Sequence, residues 1–233
     1  MEAGRAAAEV PAAAVHRAGG NMKHYIAGTD RQKVTLAIKK AELLTSGEIV
    51  VIAAHQSDDY VHVPIHIATG AALAVPFLLP LLSRFFPWTA VSLFWVFMTQ
   101  LLVFIIVAIV LSHHPFRYWV TPKKLMRKYA HRNAATQFLA VNTHGTGGRT
   151  GILIFVSLLE HYCEVIGDTA IASKVSRQTW QSIIDEMVPH LRSGNLTEGL
   201  VHAVDRCGHE LAKHFPPGTP NPNELPDHFI VLN

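Results

Sequence analysis

The chain has 233 residues and a mass of 25.7 kDa, enough for one domain with a sizeable core, and with only two cysteines, Cys163 and Cys207, it is not a disulfide-framed miniprotein. A net charge of +3, with no interleaved basic and aromatic patch, excludes a nucleic-acid partner on electrostatic grounds. Charged residues make up 16% of the chain, against about 25% in ordinary soluble domains, and mean hydropathy is +0.23, so part of the apolar surface is expected to meet lipid.

Residues 1–29 are rich in Ala, are interrupted by Gly and Pro, and lack the apolar core of a signal peptide; they read as a disordered segment, with Met22 as an alternative start. Asp30 is the expected N-cap of a helix running to about Leu44, with Val34, Ala37, Ile38 and Ala41 on one face. EIVVIAA, residues 48–54, is a β-branched run of the kind buried in a parallel sheet. Residues 30–60 thus form the first part of a soluble domain.

Residues 61–82 and 89–112 then contain no Asp, Glu, Lys or Arg, and each has the roughly 20-residue length that crosses a hydrocarbon core. Together they predict a transmembrane hairpin over 61–112. The first run carries Pro64, Pro76 and Pro80, which bilayer helices tolerate, and the second carries Gln100, suited to a hydrogen bond across the pair. The short joint SRFFPW holds Arg84 and Trp88, residues of an interfacial belt. Lys33, Lys39 and Lys40 precede the hairpin, and Arg117, Lys123, Lys124, Arg127, Lys128 and Arg132 follow it, so both ends are expected in the cytoplasm.

The domain resumes over 113–216. A basic helix begins near Thr121 and ends near Val141, before the loop NTHGTGGRTG. GILIFVS, residues 151–157, reads as a second buried strand, and YCEVIG, residues 162–167, as its antiparallel hairpin partner. Strand, helix, strand is a crossover unit, so the strands starting at Glu48 and Gly151 should be parallel, with the hairpin carried inside their connection. Two amphipathic helices follow, one with Trp180, Ile183, Ile184, Met187 and Leu191 in a stripe, the other with Leu200, Val204, Cys207, Leu211 and Phe215. Residues 217–233 read as an extended tail that adds no core. The expected architecture is an α/β fold, a small mixed sheet between helices, interrupted by a two-helix membrane insertion.

The segments TGILIFVSLLEHYCEVIGDTAI, LRSGNLTEGLVHAVDRCGHELAKHFP and NELPD, with the helix around Trp180, resemble the TPM-domain family, in particular its bacterial membrane proteins. The similarity covers about residues 30–55 and 132–227. It implies a small sheet between helices and, with the flanking charges, a place in the bacterial inner membrane. Many relatives carry the domain outside the cytoplasm behind a signal peptide, a pattern from which this chain departs. Family members have been described as acid phosphatases or divalent-metal binders, and plant relatives as photosystem repair factors. The sequence has no Cys-x5-Arg loop, no DxDx(T/V) nucleophile motif and no two-metal His/Asp string.

Candidate chemistry falls at both ends of the expected sheet. Asp168 matches an acidic or glycine position in the family's strand-to-helix turn, and with Glu48 it is a candidate ligand for calcium or magnesium; it equally reads as a helix N-cap. Gly148, Arg149 and Thr150, in a glycine-rich loop that is no Walker motif, could face an anion beside it. At the opposite end Asp58, Asp59, Glu160 and His161 form an alternative metal set, with solvated turn residues as the plain reading. His62, His66, His113 and His114 would lie near one leaflet, where a transition-metal site is geometrically allowed. His202, Asp205 and His209 read as a solvated helix face. Two functions compete: a binding or assembly module docking a membrane-associated protein at the bilayer surface, and a divalent-metal-dependent phosphatase-like hydrolase.

Overall fold

Two seven-residue β-branched runs with no alternation of polar side chains organise the structure, because strands of this kind must be covered on both faces. The computed structural model describes residues 5–9, 28–83, 92–142, 149–218 and 229–232. Strands β2 (Glu48–Ala54) and β3 (Gly151–Ser157) are buried at every position and pair in parallel, Glu48 opposite Gly151 through Ala54 opposite Ser157. Strand β4 (Tyr162–Gly167) returns antiparallel to β3. The crossover expected from the sequence is therefore present, with 103 positions separating paired residues of β2 and β3.

Two edge strands complete a five-stranded sheet of order β1-β4-β3-β2-β5. Each corrects an expectation. Strand β1 (Arg5–Glu9) lies in the segment read as disordered and pairs antiparallel with β4. Its RAAAE sequence has little strand propensity, and the backbone groups of β4 supply the pairing that propensity does not. Strand β5 (Phe229–Leu232) lies in the tail expected to add no core; it pairs in parallel with β2, and Phe229 is buried in the main core. The NELPD segment, residues 223–227, and Gly148 fall outside the described residues.

Helices cover both faces. Helix α1 (Gly28–Glu42) starts two residues before the expected cap, leaving Asp30 in its first turn, where a carboxylate complements the helix dipole. It buries Val34, Ile38 and Ala41 with α7 (Arg177–Arg192) and α8 (Leu196–His214), whose stripes from Trp180 to Leu191 and from Leu200 to Leu211 are buried as the 3.6-residue period requires. These side chains meet Ile49, Val51, Ile152, Ile154 and Val165 on one sheet face. Helix α5 (Lys123–Asn142) lays Ala130, Ala134, Phe138 and Val141 against Val50, Ile52, Leu153, Phe155 and Ile166 on the other. Helix α6 (Thr169–Ala172) is a single turn after β4.

The chain divides into two compact units, Met1–Ser57 with Arg127–Asn233, and Asp58–Met126. The first is the sheet domain, built from two stretches of sequence. The second holds α2 (His62–Ser83), α3 (Leu93–Ser112) and α4 (His114–Val120). Helix α2 passes through Pro64, Pro76 and Pro80 and packs on α3, burying Val63, Ala68, Ala72 and Val75; small residues four apart allow close helix approach. Pro76 of α2 and Leu93, Phe97 and Gln100 of α3 line an apolar groove. Helix α3 is long and apolar enough to cross a membrane and buries none of its side chains. The described apolar run of α2, His62–Leu78, is shorter.

The roots of this insertion are pinned to each other. Arg117 Nη1 donates to the Asp59 carbonyl at 2.7 Å, and fully buried Tyr60 meets Tyr118 edge-on with ring centroids 5.8 Å apart. Tyr60 adopts a left-handed φ of 51°, uncommon for a bulky residue, and Asp58 Oδ1 holds that turn by accepting its amide at 2.9 Å.

Candidate functional site

At the end of the sheet where β2 and β3 begin, Glu48 donates its amide to the Thr150 carbonyl at 3.1 Å, and Asp168 donates its amide to the Gly151 carbonyl at 2.9 Å. Glu48 and Asp168 therefore lie on one edge with Thr150, as the strand pairing required, and both are nearly enclosed. The Asp168 carboxylate accepts from the Thr169 amide at 2.5 Å and caps α6, so the capping role is realised. Thr150 Oγ1 donates to the Ser46 carbonyl at 3.2 Å, and the Ser46 amide donates to the Phe215 carbonyl at 3.0 Å. These polar groups tie the start of the sheet to the end of α8. Arg149 is exposed and holds a left-handed φ of 52°.

At the opposite end, where the parallel strands finish, Glu160 is the central group. It is only 6% exposed, against the expectation of a solvated turn residue. One carboxylate oxygen accepts from the Ser57 amide at 2.8 Å and the other from the Ser157 hydroxyl, while Ser57 Oγ and Ser157 Oγ lie 2.9 Å apart. The carboxylate thus clasps the exit of β2 to the end of β3. A buried charge is tolerable only with such donors, and the tight β3–β4 turn provides the enclosure. His161, next in that turn, has a left-handed φ of 55° and donates its amide to the Leu158 carbonyl at 3.2 Å. Asp58 and Asp59 belong to the other compact unit, where they hold the root of the insertion.

Among the described residues no group of three or more His, Cys, Asp or Glu side chains converges on a point that could hold a metal. His62 and His66 lie one turn apart on α2, rings edge-on at 6.1 Å, and His66 Nδ1 approaches the His62 carbonyl at 2.6 Å. His202 and Arg206 of α8 both approach Glu186 of α7, at 3.8 Å and 2.9 Å, and His209 approaches Asp205 at 3.6 Å. All are partly or well exposed, as a charged helix face should be.

One constellation escaped the sequence reading. Glu164, in the middle of β4, has a fully buried carboxylate that accepts from Tyr162 Oη at 3.0 Å, with His131 Nδ1 of α5 at 3.0 Å and 3.1 Å from its two oxygens. The carboxylate fixes the orientation of an imidazole whose side chain is 37% exposed, as outer carboxylates do for working histidines. The signal was present: Glu164 is the one acid inside an otherwise apolar strand.

Comparison with known proteins agrees with this fold. Residues 118–210 match the family model of the TPM domain. Among solved structures the chain is similar to the NMR structure of BA42 protein from the psychrophilic bacterium Bizionia argentinensis, at 18% identity and a TM-score of 0.53, over 88% of this chain and 94% of that one. No curated protein matches. The family match begins after α3, while β2 precedes it, so the sheet that the match describes is completed by residues on the far side of the insertion.

Proposed function

From the premise that this chain carries a TPM domain over residues 118–210, we propose that it is a membrane-anchored binding or assembly module, its sheet domain held at the cytoplasmic face of a bacterial inner membrane to dock another membrane-associated protein. The observation that carries this reading is α3: 20 residues without a charge, none buried, with Phe94, Trp95, Ile105 and Ile109 among its exposed side chains. At 1.5 Å per residue it is about 30 Å long, the thickness of a hydrocarbon core. Exposed apolar surface on that scale needs lipid or another protein to cover it. Helix α2, which packs on α3, is the outgoing span and α3 the returning one, and the Lys and Arg flanking the pair set its orientation.

Docking is favoured over hydrolysis by how the candidate carboxylates are used. Glu160 clasps two strands, Asp168 caps α6 and Glu164 holds His131, so each has a structural task. The alternative, a divalent-metal-dependent phosphatase-like hydrolase, retains Glu48 and Asp168 on one edge as candidate calcium or magnesium ligands. Four measurements decide. The protein should stay with the membrane after carbonate extraction, and Asn195→Cys should resist labelling by an impermeant maleimide applied outside intact cells. Strong labelling would put the domain on the other side. Calcium or magnesium raising the melting temperature, together with phosphomonoester turnover that Asp168→Asn abolishes, would replace docking by hydrolysis.

A further inference from the structure

We propose that the helix pair α2–α3 is an interface between two copies of this chain, which meet along the groove lined by both helices and join their Gln100 side chains by hydrogen bonds; the inference rests on the membrane reading above. The sequence suits Gln100 to a bond across the pair, and the structure does not make it. Among the described residues Gln100 has no hydrogen-bond partner, and its half-buried side chain lines the apolar groove with Pro76, Leu93 and Phe97. The α2 contribution to that wall is Pro76, which has neither a polar side chain nor an amide hydrogen to offer. Gln100 sits about a third of the way along α3, roughly 10 Å from its start at 1.5 Å per residue, and so inside the hydrocarbon layer. An amide left unpaired there is costly, because lipid tails provide neither donor nor acceptor.

The chemistry of that amide selects a second copy as its partner. A primary amide carries a carbonyl acceptor and an NH2 donor, so two of them satisfy each other reciprocally. Copies inserted with one topology are related by an axis along the membrane normal, which sets α3 parallel to its counterpart and brings both Gln100 residues to the same depth. A lipid tail matches the groove but not the amide, and an unrelated span would need a polar group of its own at that level. Shape agrees with chemistry. The groove holds about 510 Å3, room for large side chains, and the rings of Phe94 and Phe97 beside it are 62% and 59% exposed. Protrusion and hollow on one face are what a self-complementary, two-fold interface requires.

The test uses the full chain in phosphatidylcholine vesicles. Asn195→Cys protein is labelled under native conditions, where Cys163 and Cys207 are buried, with donor or acceptor dye, and energy transfer between copies is followed as lipid is added. Transfer should persist until lipid dilutes the dimers. Gln100→Leu should move the midpoint about tenfold toward lower lipid-to-protein ratios, the scale of an interhelical polar contact in model peptides, whereas Gln100→Asn, which keeps donor and acceptor, should move it less. Oxidative cross-linking reads the face: Phe97→Cys should yield a disulfide-linked dimer, and Ile109→Cys, exposed on α3 half a turn away from Gln100, should not. A chain that stays monomeric leaves the groove to lipid or to an unrelated span and overturns the proposal, as does a Gln100→Leu midpoint equal to that of the wild type or equal cross-linking at Ile109→Cys; carbonate-resistant anchoring stands in each case. Protein that fails to enter the vesicles overturns both readings.

Discussion

Glu160 and Cys207 show how much one buried side chain can hold. Glu160→Ala would leave the Ser57 amide and the Ser157 hydroxyl without their acceptor, at a cost of about 2 kcal/mol, whereas Glu160→Gln keeps an acceptor and should cost less. Chemical denaturation of the two variants checks the order; equal losses would mean that the clasp is not the source of the stability. Cys207 lies wholly within the core, and burial pushes its thiol from the ordinary 9.0 up to about 12. The folded state therefore holds this proton more tightly than the unfolded chain. Its contribution is fully present below pH 9.0 and is lost as pH rises to about 12, at up to about 1.4 kcal/mol per pH unit. A Cys207→Ala variant should show a shallower alkaline loss of stability in that window, at the expense of a small cavity. Asp168 was legible as a cap because an Asp before a short helical run has a local reason to be there. Glu160 was not, because its enclosure depends on Ser57, 103 positions away.

At the level of elements, what could be read in advance follows from how each element is stabilised. Strands β2, β3 and β4 announce themselves by composition, and helices α7 and α8 by period, because their own side chains form the core. The edge strands β1 and β5 draw on the open backbone of β4 and β2, which no local pattern encodes. Strand β5 is nonetheless no ornament. Phe229 is 7% exposed within the main core, so Phe229→Ala should cost about 3 kcal/mol, read as a lowered denaturation midpoint. An unchanged midpoint would show that the sheet is complete without its last strand.

For the molecule as a whole, the central feature is a sheet domain interrupted by a second compact unit. With Asp59 and Arg117 in direct contact and Tyr60 beside Tyr118, the insertion leaves and re-enters through one neck. Replacing residues 62–112 with a flexible Gly/Ser linker of about ten residues, which spans roughly 17 Å, should therefore preserve cooperative unfolding of the sheet domain and, under the membrane anchoring proposed above, leave it in the soluble fraction. Loss of cooperativity would mean that the insertion is part of the folding unit. The same topology constrains biogenesis. A ribosome makes β2 more than a hundred residues ahead of β3, and its seven enclosed positions have no partner in the interval. Translation thus produces the apolar helix pair while the nascent sheet is still open, and β5 follows every other described element. The cell must shield an orphan strand from aggregation until its neighbours emerge, which makes delayed closure, rather than slow packing, the vulnerable step in producing this protein.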